Sequence, residues 1–311
     1  MPDFSRETKE ALSVLPVRNA ASRRAELAAL TVGIGSIGLE EDGTLFLMLQ
    51  SENLPAMRRA DFLLRALTGS DPQVSLFHGA EQKNALYTIV LEEPASLKQL
   101  LKDLGFMNSR GVLRETSVPS PEAMLRRDEA RKAFLRGAFL AGGYLSDPEQ
   151  DYHLEIVMRS EERAQELRSV MQALGITARI THRKGVPLIY LKESEAISDV
   201  LGLMGAVRSR LAWENARVLH SMKGNINRQV NCEMANLEKS VKAGAAQIDA
   251  IRRIEESEGL GALPPSLREV AKLRLAYPDA SLQELGERMD PPLGKSGVNH
   301  RLRRIMELAG K

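Results

Sequence analysis

The chain has 311 residues, 43 Lys and Arg against 41 Asp and Glu for a net charge of +2, and only 4% aromatic residues. That length calls for two or three domains, near-neutrality excludes a global basic field so that any nucleic-acid surface is local, and the scarcity of rings argues against a single-strand stacking platform. A single cysteine, Cys232, excludes an intramolecular disulfide; with no cationic-apolar leader and no apolar run near the ~20 residues of a membrane helix, a cytoplasmic protein without membrane attachment is expected.

Residues 4–15 carry an amphipathic helical pattern stopped by Pro16, and Lys9, Arg18, Arg23 and Arg24 form a basic entrance to the next segment. A small-residue apolar helix over 22–32 then runs into Gly35, followed by strands around Asp42-Gly43, a helix over 54–67, strands 74–77 and 86–90, and a helix over 97–104. From about Arg126 the same order returns: a helix to Ala141, strands around Asp147-Pro148, a helix over 161–174, strands 178–181 and 188–191, and a helix over 197–203. The segments Leu27-Ala-Ala-Leu-Thr-Val-Gly-Ile-Gly35 and Leu135-Arg-Gly-Ala-Phe-Leu-Ala-Gly-Gly143 occupy the same place in the two copies, so the chain contains an internal duplication of about 22–105 and 126–205. Ala29 and Gly33 in one copy and Gly137 and Ala141 in the other let these two helices approach backbone to backbone, a steric argument known best from membranes but equally valid in water. A pseudo-twofold axis is expected between them.

Val118-Pro-Ser-Pro-Glu122 is a connector between the halves. From Trp213 to about Glu258 the sequence is polar and helical; around Gly224, Asn225, Ile226 and Asn227 it forms either an interdomain hinge or a continuous linker helix. Asn231 and Asn236 further dilute its apolar face, and with no heptad seam a monomer is expected. The domains are thus 1–210 (duplicated), 211–262 (helical linker and start of the C-terminal domain) and 263–311.

The final segment starts with Pro264-Pro265 in an N-terminal proline position, gives a helix to Tyr277, and continues with a short helix capped by Ser281 with Glu284 three residues on. After the turn Asp290-Pro-Pro-Leu-Gly294, a helix from Lys295 places Val298, Leu302, Ile305 and Leu308 on its core side and Ser296, Asn299, His300, Arg301, Arg303 and Arg304 opposite. Helix, turn, basic helix is the order of a helix-turn-helix reader of double-stranded DNA. Ser296, Asn299 and His300, near the helix start, are the base-edge candidates; Lys295, Arg303 and Arg304 suit phosphates. With Ser281 and Arg301 they complete the candidate DNA-binding set.

The two motif helices resemble those of LAGLIDADG homing endonucleases, whose αββαββα repeats form a saddle over duplex DNA. That resemblance implies an α+β fold, a duplicated saddle followed by an all-α helix-turn-helix domain. It also implies a metal-binding acid at the eighth motif position, where this chain has Ile34 and Gly142. Neither can hold a hard cation, and Glu40, Glu41, Asp42 and Asp147 are expected to be turn residues; no catalytic residue, metal site or cofactor is expected. Phe134-Leu-Arg-Gly-Ala-Phe-Leu-Ala-Gly-Gly143, Asp147-Pro148-Glu149, Tyr152-His-Leu-Glu155, Leu285-Gly286 and Lys295-Ser-Gly-Val-Asn-His-Arg-Leu-Arg-Arg304 together resemble the WhiA family of bacterial transcriptional regulators. The likeness covers nearly the whole chain and is weakest over 1–20 and 70–95. It implies sequence-specific DNA binding linked to cell division, chromosome segregation and sporulation, a nucleoid-associated protein, and contact with RNA polymerase or another regulator. Competing readings are a nuclease with displaced carboxylates and a bridging protein merely tethered to DNA. His153 has no recognisable acidic orienter and is expected to be structural; His182, Arg183 and Lys184 are expected to form a solvated turn; and Cys232, without partner Cys or His, is not a metal ligand.

Overall fold

The computed structural model describes residues 3–77, 85–92, 94–115, 120 and 122–310, and the chain divides into two units, Met1–His220 and Ser221–Lys311. Helix α1 (Phe4–Ser13) is capped by Asp3, whose carboxylate accepts the Ser5 N–H at 3.1 Å. It stops short of the expected Leu15, because the residue before a proline is pushed out of the helical region. The first repeat is α2 (Ala20–Ile34), β1 (Gly35–Leu39), β2 (Leu45–Ser51), α3 (Leu54–Thr68), β3 (Gln73–Phe77), β4 (Leu86–Leu91) and α4 (Pro94–Asp103). The second is α5 (Asp128–Gly142), β5 (Gly143–Leu145), β6 (Leu154–Val157), α6 (Glu161–Ala173), β7 (Arg179–Arg183), β8 (Val186–Leu191) and α7 (Ser194–Met204). Each is αββαββα, and the antiparallel sheets have matching strand orders, β1-β2-β4-β3 and β5-β6-β8-β7. Most of the expected connector at 118–122 lies outside the described residues; Ser120 donates its N–H to Glu166 at 2.6 Å and Glu122 begins a 3-10 turn.

Alternation explains the sheets: Leu45, Leu47 and Leu49 on β2 and Leu154 and Ile156 on β6 are all buried beneath the helices. Helices α2 and α5 lie against one another along the small-residue rows. A Cβ on Gly33 would collide with the Ala141 methyl, and one on Gly137 with the Glu26 carbonyl oxygen. Beside this contact sits a fully buried charge cluster. The Glu26 carboxylate on α2 receives Arg59 of α3 at 2.7 and 3.0 Å and Arg136 of α5 at 2.9 and 2.6 Å. Further guanidinium hydrogens go to backbone carbonyls: Arg59 donates to Leu15 at 2.5 Å and Arg136 to Met204 at 3.1 Å. Trp213, fully buried in the same unit, donates its indole N–H to the Ser194 carbonyl at 3.1 Å.

Helix α8 (Val207–Ser257) is 51 residues long and passes unbroken through Gly224 to Asn227. The hinge alternative is therefore not taken, since a glycine costs about 1 kcal/mol and an asparagine less in a helix interior. In the second unit, the end of α8 joins α9 (Pro265–Ala276), α10 (Leu282–Glu287) and α11 (Lys295–Ala309) around a core that includes Ile251, Val270, Leu285 and Leu302, all at 0% exposure.

Candidate nucleic-acid interface

Three local devices hold α11 in place. Ser281 and Glu284 form the capping box at the start of α10: the Ser281 hydroxyl oxygen accepts the Glu284 N–H at 3.2 Å, and the Glu284 carboxylate accepts the Ser281 N–H at 2.7 Å. The Ser281 N–H first, then its hydroxyl, hydrogen-bond the Glu284 carboxyl and hold it below the usual carboxylate range. Gly286 lies against the turn so closely that a Cβ there would collide with the Leu293 carbonyl oxygen, while the Leu293 N–H donates to the Gly286 carbonyl at 2.9 Å. Arg274, almost fully buried on α9, bridges the following loop through the Pro278 and Ala280 carbonyls at 3.2 and 2.6 Å.

Val298, Leu302 and Ile305 of α11 are fully buried, with Leu308 partly buried beside them. At ~100° per residue, Lys295, Ser296, Asn299, His300 and Arg303 fall within an arc of about 140° on the opposite side. Lys295, Ser296, His300 and Arg303 are exposed and Asn299 is half-buried. Lys295, His300 and Arg303 make no ion pair among the described residues, so their donors face solvent. Arg304 lies at the edge of this arc and pairs with Glu307 at 2.8 Å. Arg301 stands apart: it reaches toward α9, donating to the Ser266 carbonyl at 3.2 Å with Glu269 at 4.0 Å. Ser281 is exposed and engaged in its cap. One cation escaped the sequence reading: Arg288, at the end of α10, lies over the Tyr277 ring at 4.7 Å beside the turn into α11. Nothing in the residue pattern singles it out, because a basic residue ends many helices.

At the saddle, α2 and α5 end on Ile34, 7% exposed, and Gly142, where a Cβ would stand 2.6 Å from the Val157 carbonyl oxygen. Asp42 accepts the Thr44 N–H at 2.8 Å and Asp147 the Glu149 N–H at 2.9 Å, both within turns. Among the described residues no three His, Cys, Asp or Glu side chains come together as a metal cage. His153 does have an acidic neighbour, contrary to the sequence expectation: its Nε2 lies 2.8 Å from Glu155, which also takes Arg183 at 2.8 and 2.6 Å. Alternate residues share a strand face, and a two-residue spacing carries no catalytic signature by itself. Burial opposes ionisation of Glu155, but Arg183 and His153 outweigh it and hold the carboxyl below the usual range. His182 and Arg183 belong to β7 rather than to a turn, which is made by Lys184 and Gly185, both at positive φ.

The sheets differ in charge. None of β1 to β4 contains an Asp, Glu, Lys, Arg or His, whereas β6 and β7 carry Glu155, Arg179, His182 and Arg183.

Three family models match the chain, and all three describe one family. Residues 20–107 match the WhiA N-terminal LAGLIDADG-like domain, 131–223 the WhiA LAGLIDADG-like domain, and 226–309 the WhiA C-terminal HTH domain. A relative from Heliobacterium modesticaldum, named a probable cell division protein WhiA, is 41% identical over 98% of this chain and 95% of its own length. One of the same name from Clostridium acetobutylicum is 42% identical over 92% and 90%. The crystal structure of full-length DUF199/WhiA from Thermatoga maritima is similar at 27% identity, with a TM-score of 0.60 over 99% of this chain and 98% of that one. The duplicated α+β domain, the C-terminal helix-turn-helix and the extent of these matches place the chain in the WhiA family.

Proposed function

We propose that the protein is a sequence-specific DNA-binding transcriptional regulator acting in cell division, with no nuclease activity of its own. The observation that carries this reading is the exposed arc of α11, with Lys295, Ser296, Asn299, His300 and Arg303 presented opposite a fully buried core face. In this reading Asn299, Ser296 and His300 meet base edges, a bidentate Asn–adenine contact giving ~1–3 kcal/mol of discrimination. Lys295, Arg303, Arg304 and the Ser281 hydroxyl meet phosphate, and Arg301 holds α11 against α9. The apolar Ile34 and the closed space at Gly142 support the loss of cleavage. Chromosome segregation, sporulation, association with the nucleoid in the cytoplasm and contact with RNA polymerase extend the same reading through the family. A narrower role follows for residues 1–210: the second sheet, with Arg179 exposed on β7, is suited to a supporting phosphate contact, while the uncharged first sheet is suited to a protein.

The test is binding of the intact protein to genomic DNA fragments across a salt series with Mg²⁺ present, the DNA then being run on a denaturing gel. Site-selective retention of unbroken DNA is expected, and Arg303→Ala should reduce the magnitude of the salt slope by about 0.9 at every sequence. Metal-dependent breaks, or binding indifferent to Arg303 and Asn299, would overturn the assignment.

A further inference from the structure

Within the second unit, α8 carries six large apolar side chains, Met222, Ile226, Val230, Met234, Leu237 and Val241, each between 49 and 62% exposed. At ~100° per residue they occupy an arc of about 120° along ~30 Å of helix. Their steps of four, four, four, three and four residues do not alternate three and four, so they do not register as a heptad seam. An apolar row of this length on a solvent face, broken within its arc by the charged Lys223 and Glu233, marks an interaction surface.

We propose that this row is a self-association surface on which α8 of a second copy lies antiparallel. Lys223 lies within the arc of the row near one edge and Glu238 just beyond that same edge. Lys223 makes no ion pair among the described residues, and Glu238 pairs with Lys242 at 2.7 Å on an exposed face, a contact it can exchange for Lys223 of a second copy. If two copies pair antiparallel about a centre between Val230 and Asn231, Lys223 of each meets Glu238 of the other. The same register sets Ile226 of one copy between Met234 and Leu237 of the other, so the apolar side chains interleave. Parallel pairing would instead place Lys223 against Lys223 and Glu238 against Glu238, and flanking charges of this kind set helix orientation. Half-exposed aliphatic side chains offer on the order of 90 Å² each; with the flanking stems, the row buries about 600–800 Å² per copy, close to the ~800 Å² of a standard interface. Without an aromatic or arginine anchor at its centre, the pairing is weak, with a dissociation constant on the order of 10 µM. This surface is independent of the arc on α11, and the proposal departs from the monomer expected from the sequence.

Sedimentation velocity of the full chain from about 1 to 200 µM provides the test, with circular dichroism to verify that each variant remains helical. A monomer–dimer equilibrium is expected. Leu237→Asp should weaken it at least about 30-fold by burying an unpaired charge. Lys223→Glu and Glu238→Lys should each weaken it several-fold, while the double exchange restores the pairing. A chain that stays monomeric at the highest concentration, leaving the row to a different protein, overturns the proposal. So does a dimer insensitive to Leu237→Asp, and failure of the double exchange to restore pairing overturns the antiparallel arrangement.

Discussion

Glu26 is the residue on which the duplicated unit depends most heavily, and Glu26→Gln measures that dependence. Its carboxylate is fully buried and receives four hydrogen bonds from two guanidinium groups, one from each repeat. The amide keeps the shape but has one acceptor oxygen, no charge, and an NH₂ group that faces donors. Two arginines are then left buried without a counter-ion. Removing one partner from a buried pair costs about 3–5 kcal/mol, and sharing the carboxylate between two cations puts this case toward the upper end. In a unit of this size the loss corresponds to a fall in midpoint of roughly 10 °C. Trp213 is the sole tryptophan and is fully buried within Met1–His220, so its fluorescence during thermal unfolding of the intact chain reports this unit selectively. A Trp213 midpoint lowered by less than the equivalent of ~1 kcal/mol would refute the view that the carboxylate carries the cluster. It would mean that the carbonyls of Leu15 and Met204 hold the arginines unaided.

Gly286→Ala should abolish site-specific DNA binding while leaving the Trp213 transition unchanged, because a methyl there meets the Leu293 carbonyl oxygen and displaces α11; heteronuclear NMR of α11 amides and gel retardation would show both effects. Lys9 is pushed down to about 8 from 10.5 by burial, which Asp3 only partly offsets. The unfolded chain therefore binds the extra proton, stability rises between pH 8 and about 10.5, and Lys9→Met should remove that rise and increase the Trp213 midpoint at pH 7. For Glu155, held below the ordinary glutamate value, the sign is reversed: its contribution is fully present above that value and lost as pH falls through the depressed one. Acid titration of the Trp213 transition below pH 5 should be shallower in Glu155→Gln than in the parent chain.

The fold was legible wherever one local rule acted alone. Short apolar runs bounded by turn residues, such as Leu45 to Leu49, identified strands, and the spacing of Ser281 and Glu284 located a helix start within one residue. The rows Ala29/Gly33 and Gly137/Ala141 anticipated the helix contact because only small residues permit it. The partners of Glu26 were not legible: Arg59 and Arg136 are distant in sequence, and a lone glutamate among apolar residues carries no mark of what will neutralise it. Glu155 is only two residues from His153, but that spacing is common to every strand and carries no mark of a pair. On α11, the pattern separated core from solvent correctly but could not separate Arg301 from Arg303, since the difference lies in Ser266 and Glu269 on another helix. The apolar row of α8 went unseen for a different reason: a row stepping mostly by four looks irregular when judged against a heptad, and asparagines stand between its members.

The saddle and the reader helix follow opposite electrostatic strategies. In Met1–His220 charge is spent inward, with Glu26, Arg59 and Arg136 locked together at the junction of the repeats and the first sheet stripped of charged side chains. Where this fold could offer carboxylates to a metal, the helices end on Ile34, in the core, and Gly142, against the Val157 carbonyl oxygen. A carboxylate at 142 would have to displace backbone before it could bind a cation, so the position is closed by geometry as well as by residue type. On α11 the cations Lys295 and Arg303 are left without ion pairs and rest on a framework of capping hydrogen bonds, a close glycine contact and aliphatic packing. In the first unit the buried charges pair with one another, whereas among the described residues Lys295 and Arg303 on α11 stay unpaired and exposed, so a chain of nearly zero net charge still presents a local basic surface.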